Sequence, residues 1–453
     1  MNSIFRNFRT GLWRSCLIKS VLVLAIFACI DTSVFGDNPV SVVKAAKNKN
    51  RIKVLLSSDA VSGIAKLDDP VTFTAEINNR GATTVNGKLD WSVKSPVLKK
   101  SLHTSTKFSI GAKKTQSLTF TITLRQAGFA EVECAFIDSQ TEQSVSSRLR
   151  IGCQPNRVVS SLTRQNDFAE FWKKATSELR DIPPAFESIE RVDLSDERIR
   201  VFEVKMRSHD QIRVSGWLEV PRKSTQPLPA VIRVPGYGQN MRPTGKWDDM
   251  VVFSFNPRGH GNSQQDIPGK PTNFWIRGLD DQQTYYYKGS YLDCIRAVDF
   301  IASRSDVDPA KIAVWGGSQG GGFAIATAAL DSRVDYCVAD IPFLCDWSNY
   351  FRLTHWPEMD AWIADRPDRN WNSTLQTLSY FDTLNLADRV RCPTIMSVGL
   401  QDQICPPTTC FAVFNRIIGE KRYRIYPEKK HGLGHEHHTW VWQELRSAFG
   451  LTD

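Results

Sequence analysis

The segment Gly316-Gly317-Ser318-Gln319-Gly320 has the clearest potential for chemistry in this chain. It follows a short apolar run at residues 312–315 and precedes a helical pattern at residues 320–330. In a G-x-S-x-G turn between a strand and a helix, the serine oxygen stands above the sheet and only small residues fit beside it. This context predicts that Ser318 is a nucleophile and not a serine in an ordinary glycine turn.

An acid and a histidine follow Ser318 in the chain order that such hydrolases use. Asp402 comes after the predicted strand at residues 394–398, and His431 comes after another predicted strand at residues 424–426. In such a site the histidine accepts the serine proton, and the acid holds the imidazole in the tautomer that can do so. We therefore predict Ser318, Asp402 and His431 as the catalytic residues.

Acyl transfer also requires two backbone N–H donors for the oxyanion. Gln319 directly follows the nucleophile and is expected to supply the first. The second candidate is Tyr237, in the turn Gly236-Tyr237-Gly238 after the apolar run at residues 232–234. The Tyr237 ring either lines the acyl pocket or is an ordinary loop aromatic.

From residue 160 to residue 453, apolar strands alternate with helical patterns. Helical spacing places Phe168, Phe171, Trp172, Ala175 and Leu179 on one face of a helix that opens this part. The strand runs are continuously apolar, which is typical of a parallel sheet buried on both faces. We predict an α/β class domain of the α/β-hydrolase type, with a mostly parallel, doubly wound sheet.

Residues 50–152 have a two-residue apolar period instead, as at residues 71–77 and 118–124. About seven short strands in about 100 residues, with no helical stretch, predict a small all-β, immunoglobulin-like sandwich. It contains no convergent Ser, His and Asp set, so we expect it to position the chain, contact glycan or cover the next domain. A chain shortened to begin near Arg164 is then expected to keep its activity on small esters.

Six segments carry a family resemblance that extends from about residue 165 to residue 450. They lie at residues 236–237, 284–287, 316–322, 341–345, 378–382 and 398–407. In these segments the chain resembles the acetyl xylan esterase and cephalosporin C deacetylase family, α/β-hydrolases that deacetylate small esterified sugars and antibiotics.

The resemblance implies that Ser318, Asp402 and His431 form the triad. It also implies that Tyr237 and Gln319 supply the oxyanion donors, and that no metal or organic cofactor takes part. The implied substrates are small acetylated saccharides or xylo-oligosaccharides, and a homo-oligomer is possible.

The chain departs from the family pattern at two places. The family's Arg-Gly-Gln is Arg258-Gly259-His260 here, which leaves the fine shape of the pocket open. The family's His-Glu pair is His431-Gly432, with a separate His435-Glu436 four residues later. The added β region and export segment leave the family's ring-like oligomers open as well.

The choice of base therefore lies between two histidines. We favour His431 because it closely follows the predicted strand at residues 424–426, whereas His435 would require a longer loop to be ordered. His437 and His438 are expected to be solvated or to begin the final helix.

Composition and charge are those of a globular protein and do not favour a nucleic-acid-binding function. The chain has 453 residues, of which 41% are hydrophobic and 23% charged, as in an ordinary globular protein. Of the net charge of +9, residues 1–36 contribute +3, from four basic residues and one acid, which leaves +6. The remaining basic residues are mixed with acids and form no clustered stripe, so we expect no nucleic-acid partner.

Residues 1–36 have the pattern of a signal peptide: basic residues up to Lys19, an apolar run at residues 21–30, and small residues ending at Gly36. That run is too short to span a bilayer, and no later stretch approaches about 18 apolar residues, so no stable membrane span is expected. We predict export, periplasmic or secreted, with a linker at residues 37–49. Lipid attachment at Cys29 is the alternative.

The eight cysteines after residue 36 match no zinc spacing. Export would permit disulfides, and Cys405 with Cys410 and Cys134 with Cys153 are the nearest pairs in sequence. Buried free thiols are equally expected.

Three functions remain open. The favoured one is a serine carboxylesterase that removes small acyl groups, chiefly acetyl, from carbohydrates. The second keeps the triad but acts on another ester or on a peptide, as a dienelactone-hydrolase-like or peptidase-like enzyme, because fold and triad do not fix the leaving group. The third is a noncatalytic glycan-binding protein, which the intact Ser, Asp and His set disfavours.

Overall fold

The computed structural model describes residues 51–95, 102–224, 226–267 and 271–451. The predicted signal peptide, the linker at residues 37–49 and Cys29 lie outside these ranges, so export and lipid attachment stay predictions. Within the described ranges, no helix combines the length and the apolar character needed to cross a bilayer.

The N-terminal region is built from strands that alternate buried and less buried side chains, as the two-residue period predicts. The strands are β1 (Ile52–Ser58), β2 (Ile64–Ala65), β3 (Pro70–Asn79), β4 (Val85–Lys94), β5 (Leu102–Ile110), β6 (Thr115–Thr123), β7 (Gly128–Asp138) and β8 (Ser144–Cys153). One sheet has the order β1-β3-β6 and the other β2-β8-β7-β4-β5. Phe73, Leu89 and Phe136 belong to the apolar core of this region. The region is all-β, and its immunoglobulin-like topology stays a prediction.

The second region contains one large mixed sheet. Its strands are β9 (Glu187–Glu190), β10 (Ile199–Arg207), β11 (Arg213–Pro221), β12 (Leu228–Val234), β13 (Val251–Asn256), β14 (Val307–Gly317), β15 (Tyr336–Asp340), β16 (Thr394–Gly399) and β17 (Lys421–Tyr426). The order is β17-β16-β15-β14-β12-β13-β11-β10-β9. Pairing is parallel from β17 to β13 and antiparallel from β13 to β9. The mostly parallel sheet is confirmed, with an antiparallel edge in addition.

Helices cover both faces of this sheet. They are α1 (Phe168–Arg180), α2 (Tyr286–Ala302), α3 (Gln319–Leu330), α4 (Trp347–Leu353), α5 (Pro357–Ala364), α6 (Trp371–Ser379), α7 (Thr383–Leu386), α8 (Pro407–Arg416) and α9 (His435–Ala448). Ile232 and Val314 join the core formed with α1, α2, α3 and α8. Their neighbours Val231 and Ala313 face the other way and pack in a cluster with Val441 of α9. Burial on both faces explains why these strands are continuous apolar runs.

The two regions are in contact. Phe129 of β7 packs against Phe411 of α8 with ring centroids 5.6 Å apart, and the described residues of both regions belong to one compact unit. The domain boundaries at residues 152 and 160 stay a prediction.

All eight cysteines after residue 36 are free thiols: Cys134, Cys153, Cys294, Cys337, Cys345, Cys392, Cys405 and Cys410. Neither pair that is close in sequence forms a disulfide. Burial raises the pKa of the Cys134 thiol to about 12, so this thiol is protonated at neutral pH and behaves as a small apolar side chain.

Candidate active site

Ser318 lies at the sharp turn between β14 and α3. Its backbone has φ 58° and ψ −121°, a conformation that residues with a side chain rarely adopt. Two hydrogen bonds hold the turn: the Ser318 N–H donates to the Asp340 carbonyl at 2.9 Å, and the Phe343 N–H donates to the Ser318 carbonyl at 2.8 Å. The end of β15 therefore supports the strained serine.

The glycines of the motif are required by close backbone packing. A β-carbon at Gly316 would lie 2.5 Å from the Gly320 carbonyl carbon, and one at Gly320 would lie 2.5 Å from the Val234 carbonyl oxygen. Neither position can take a larger residue without moving the main chain. The second contact also brings the end of β12 against the serine turn.

The structure brings the three predicted catalytic residues together. His431 Nε2 lies 3.0 Å from Ser318 Oγ, and His431 Nδ1 lies 2.8 Å from Asp402 Oδ2. The other carboxylate oxygen of Asp402 accepts the N–H groups of Ile404 at 2.8 Å and Cys405 at 2.9 Å. Asp402 is fully buried, whereas the His431 side chain is 26% exposed, so a buried carboxylate holds an imidazole that solvent can reach.

The other histidines of this segment lie elsewhere. His435 is the exposed first residue of α9. His437 also lies in the first turns of α9, as expected, but it is not solvated: it is only 1% exposed. Its Nε2 lies 2.8 Å from Asp340 Oδ1, and its Nδ1 lies 2.8 Å from the Tyr426 hydroxyl. This second Asp and His pair connects β15, β17 and α9, and no local pattern in the sequence indicated it.

The two predicted oxyanion loops are adjacent. Gln319 is the first residue of α3, and a β-carbon at Gly236 would lie only 3.3 Å from the Gly317 carbonyl oxygen. The Gly236 N–H donates to Gln239 Oε1 at 3.2 Å, which closes the turn that contains Tyr237. Burial raises the pKa of the Tyr237 phenol, so it stays protonated at neutral pH.

A buried histidine connects these two loops. His260 Nδ1 lies 2.8 Å from the Gln239 carbonyl oxygen, and its Nε2 lies 3.2 Å from Gln319 Nε2. Burial lowers the pKa of His260, so the ring is neutral; it donates from Nδ1 and accepts the Gln319 amide N–H at Nε2. The Tyr287 hydroxyl completes the chain by donating to Gln319 Oε1 at 2.8 Å. His260 is the residue where the sequence departs from the family pattern, and that departure was the only signal for this role.

In the described ranges, one group of side chains lies close enough together to hold a metal ion. The ligand atoms of Asp402, Cys405 and His431 lie within 4.8 Å of one another. The imidazole and the carboxylate of this group already share a hydrogen bond, and the imidazole also faces Ser318. The observed arrangement is therefore suited to proton transfer to and from the serine.

The fold and the contacts of Ser318 are those of an α/β-hydrolase. Residues 157–445 match the acetyl xylan esterase (AXE1) family. The chain belongs to this family and is a carboxylic ester hydrolase. The match begins at residue 157, so strands β1 to β8 lie outside it.

Individual proteins agree with this assignment. The acetyl esterase Axe7A of Xylanibacter ruminicola is 29% identical over 327 residues, covering 68% of this chain and 72% of that protein. An acetyl xylan esterase from Paenibacillus sp. R4 is similar in structure, with a TM-score of 0.60 and 34% identity over 65% of this chain and 98% of that chain. Acetyl xylan esterase 1 from Thermoanaerobacterium sp. JW/SL YS485 has a TM-score of 0.59 and 27% identity, over 64% of this chain and 96% of that chain.

Proposed function

We propose that the protein removes acetyl groups from esterified carbohydrates, with Ser318 as the nucleophile of an acyl-enzyme mechanism. The observation that carries the proposal is the 3.0 Å contact between His431 Nε2 and Ser318 Oγ, in a chain of the acetyl xylan esterase family. The acetyl specificity is inferred from the relatives, whose names describe acetyl and acetyl xylan esterases.

In the first half of the reaction, Ser318 Oγ attacks the carbonyl carbon of the acetyl ester while His431 Nε2 takes the hydroxyl proton. The Gln319 and Tyr237 N–H groups stabilise the oxyanion. When the tetrahedral intermediate collapses, the bond from the carbonyl carbon to the sugar oxygen breaks. The sugar oxygen receives the proton from His431 and leaves as an alcohol, and the acetyl group stays on Ser318.

In the second half, water attacks the acetyl-enzyme. His431 takes a proton from the water, and the new intermediate collapses to acetic acid and free Ser318, whose oxygen recovers its proton from His431. Asp402 supports both halves. Its Oδ1 is held by two backbone N–H groups, which leaves Oδ2 to accept the Nδ1–H of His431 and to stabilise the imidazolium.

The test is acetate release by the purified protein from acetylated xylan, acetylated monosaccharides and p-nitrophenyl acetate. A fluorophosphonate probe, followed by peptide mass spectrometry, identifies the nucleophile independently of the acyl group. Acetate release from the saccharides with labelling at Ser318 would support the proposal. Activity on p-nitrophenyl acetate without release from any acetylated sugar would refute the carbohydrate assignment, and labelling at another residue would refute the nucleophile.

A further inference from the structure

Arg150 of β8 reaches from the N-terminal region to the loop that carries Asp402. Its Nη1 donates to the carbonyl oxygens of Leu400, at 3.2 Å, and of Asp402 itself. Its Nη2 donates to Glu131 Oε2 on the neighbouring strand β7 at 2.7 Å. The Arg150 side chain is only 13% exposed, so the guanidinium is held between a carboxylate of its own sheet and the main chain of the acid loop.

A second link comes from Gln401, the residue between these two carbonyl groups. The Arg150 N–H donates to Gln401 Oε1 at 2.8 Å, and Gln401 Nε2 donates to the Arg150 carbonyl at 3.0 Å. The same Nε2 donates to the Pro427 carbonyl at 2.7 Å. Because Pro427 lies four residues before His431, a single amide connects β8 with both the acid loop and the histidine loop.

Packing reinforces these links. A β-carbon at Gly63, just before β2, would lie 2.5 Å from Leu400 Cδ1 and 3.4 Å from Pro427 Cβ. The N-terminal region therefore contacts the two loops through side chains as well as through hydrogen bonds.

We propose that Arg150 and Gln401 are positioning residues, which set the relative placement of Asp402 and His431. The N-terminal region then completes the active site. The inference deepens the proposed function and rests on it. On this proposal, a chain shortened to begin near Arg164 would lose activity on small esters, contrary to the expectation from the sequence, because such a chain lacks Arg150.

The physical reason is that a small displacement of Asp402 or His431 has a large effect on the rate. Catalytic groups must be held within about 0.5 Å of their productive geometry, and a misplacement of about 1 Å can lower the rate about 100-fold. Without the guanidinium, the carbonyl groups of Leu400 and Asp402 lose their donors, and the acid loop relaxes toward other arrangements. This moves Asp402 relative to His431 but leaves the substrate pocket in place, so kcat should fall more than KM rises.

The test uses the full chain with Arg150→Met and a matched control, Arg148→Met. Arg148 lies two residues earlier on the same strand and forms an ion pair with Glu133 on β7, at 3.0 Å, although its side chain is more exposed than that of Arg150. In the described ranges, no hydrogen bond or ion pair of Arg148 reaches residues 400–402. With p-nitrophenyl acetate, we expect Arg150→Met to lower kcat about tenfold or more with KM changed less than about threefold, and Arg148→Met to leave kcat within about twofold.

A double-mutant cycle separates positioning from general loss of structure. If Arg150 acts through Asp402, Arg150→Met should have little further effect in an Asp402→Asn background. Equal fold-losses in both backgrounds, or equal kcat for Arg150→Met and Arg148→Met, would overturn the proposal. If Arg150→Met does not fold, Gln401→Met gives the same test, because it removes the bonds to β8 and to Pro427 while keeping an unbranched side chain.

The rate at which the fluorophosphonate probe labels Ser318 is measured in parallel. This rate depends on the triad and not on the acyl group or the sugar. An active labelling reaction that is slowed by Arg150→Met, in a protein that releases no acetate from sugars, would support the positioning role while refuting the proposed substrate. Unchanged labelling in Arg150→Met would refute the positioning role alone.

Discussion

Replacing His260 with alanine removes the side chain that joins the two proposed oxyanion loops. The ring bonds to the Gln239 carbonyl at 2.8 Å and to the Gln319 side chain at 3.2 Å, and it packs edge-on against Phe274 with centroids 5.9 Å apart. In His260→Ala the buried Gln319 amide loses this acceptor. The Gln239 carbonyl belongs to an exposed residue and can bond water instead.

The size of the effect follows from these contacts. A buried polar group left without its partner costs about 1–3 kcal/mol, and the lost ring contacts add to this, so we expect the free energy of unfolding to fall by about 2–4 kcal/mol. Complete removal of an oxyanion donor lowers kcat about 100- to 1,000-fold. Since His260→Ala loosens the donors without removing them, we expect a smaller loss in kcat, of about tenfold.

His260→Gln is the informative companion variant. A glutamine can donate an N–H to the Gln239 carbonyl and accept one from Gln319, and the family has glutamine at this position, so we expect kcat within about threefold of the wild type. The pH dependence of stability should also differ. Burial lowers the pKa of His260 below its ordinary 6.5, so the stability contributed by the neutral ring is present above pH 6.5. It is lost as the pH falls from 6.5 through the folded-state pKa.

The assay combines denaturant unfolding at pH 7.5 and 5.5 with kcat and KM on p-nitrophenyl acetate. His355→Ala is the control, because His355 is an exposed histidine with a side chain 75% exposed. The free energy of unfolding of the wild type, relative to that of His260→Gln, should be lower at pH 5.5 than at pH 7.5. A His260→Ala enzyme with lowered stability but unchanged kcat would refute the role of His260 in aligning the oxyanion loops.

Three further predictions concern the chemistry itself. Ser318→Ala should lower acetyl ester turnover by several orders of magnitude with the fold intact, as judged by circular dichroism. A variant that keeps more than about a tenth of the wild-type rate would refute Ser318 as the nucleophile. His431→Ala should abolish turnover while His435→Ala leaves it largely intact, and the reverse result would identify the histidine before Glu436 as the base. Acetyl esters should be cleaved faster than butyryl or octanoyl esters, because each extra methylene must fit beside Tyr237 at a cost of about 1–3 kcal/mol; equal rates across p-nitrophenyl esters of rising length would contradict this.

Local sequence patterns were sufficient to predict the elements that carry the site. The five residues predicted for the buried face of α1 are all buried, because apolar residues at helical spacing mark the buried face of a helix. The strands before Ser318 and Asp402 were found because their burial makes them continuously apolar. The strand before His431 has no buried residue, and only its last residues were predicted. The bounds of the strands were less accurate. β14 begins at Val307, five residues before the predicted start at Ile312, because residues 308–311 are exposed or half-buried and interrupt the apolar run.

Features that depend on distant partners were not predictable in the same way. β9 is nearly all exposed and has no apolar run, so nothing local marked it as a strand. Arg150 and Leu400 are separated by 250 residues, and an arginine in an alternating strand has the same local pattern whether its partner is water or a loop. His260 and His437 are single histidines whose roles are set by tertiary contacts.

The backbone of Ser318 has a consequence for how this enzyme can be made more stable. At φ 58° and ψ −121°, a glycine would be relaxed, whereas a serine is held at a cost of about 1–3 kcal/mol. The residue that would best suit the fold at this position is therefore one that has no hydroxyl group. A selection for heat resistance alone would favour a replacement of Ser318 that inactivates the enzyme. Any screen for more stable variants must therefore select for turnover at the same time.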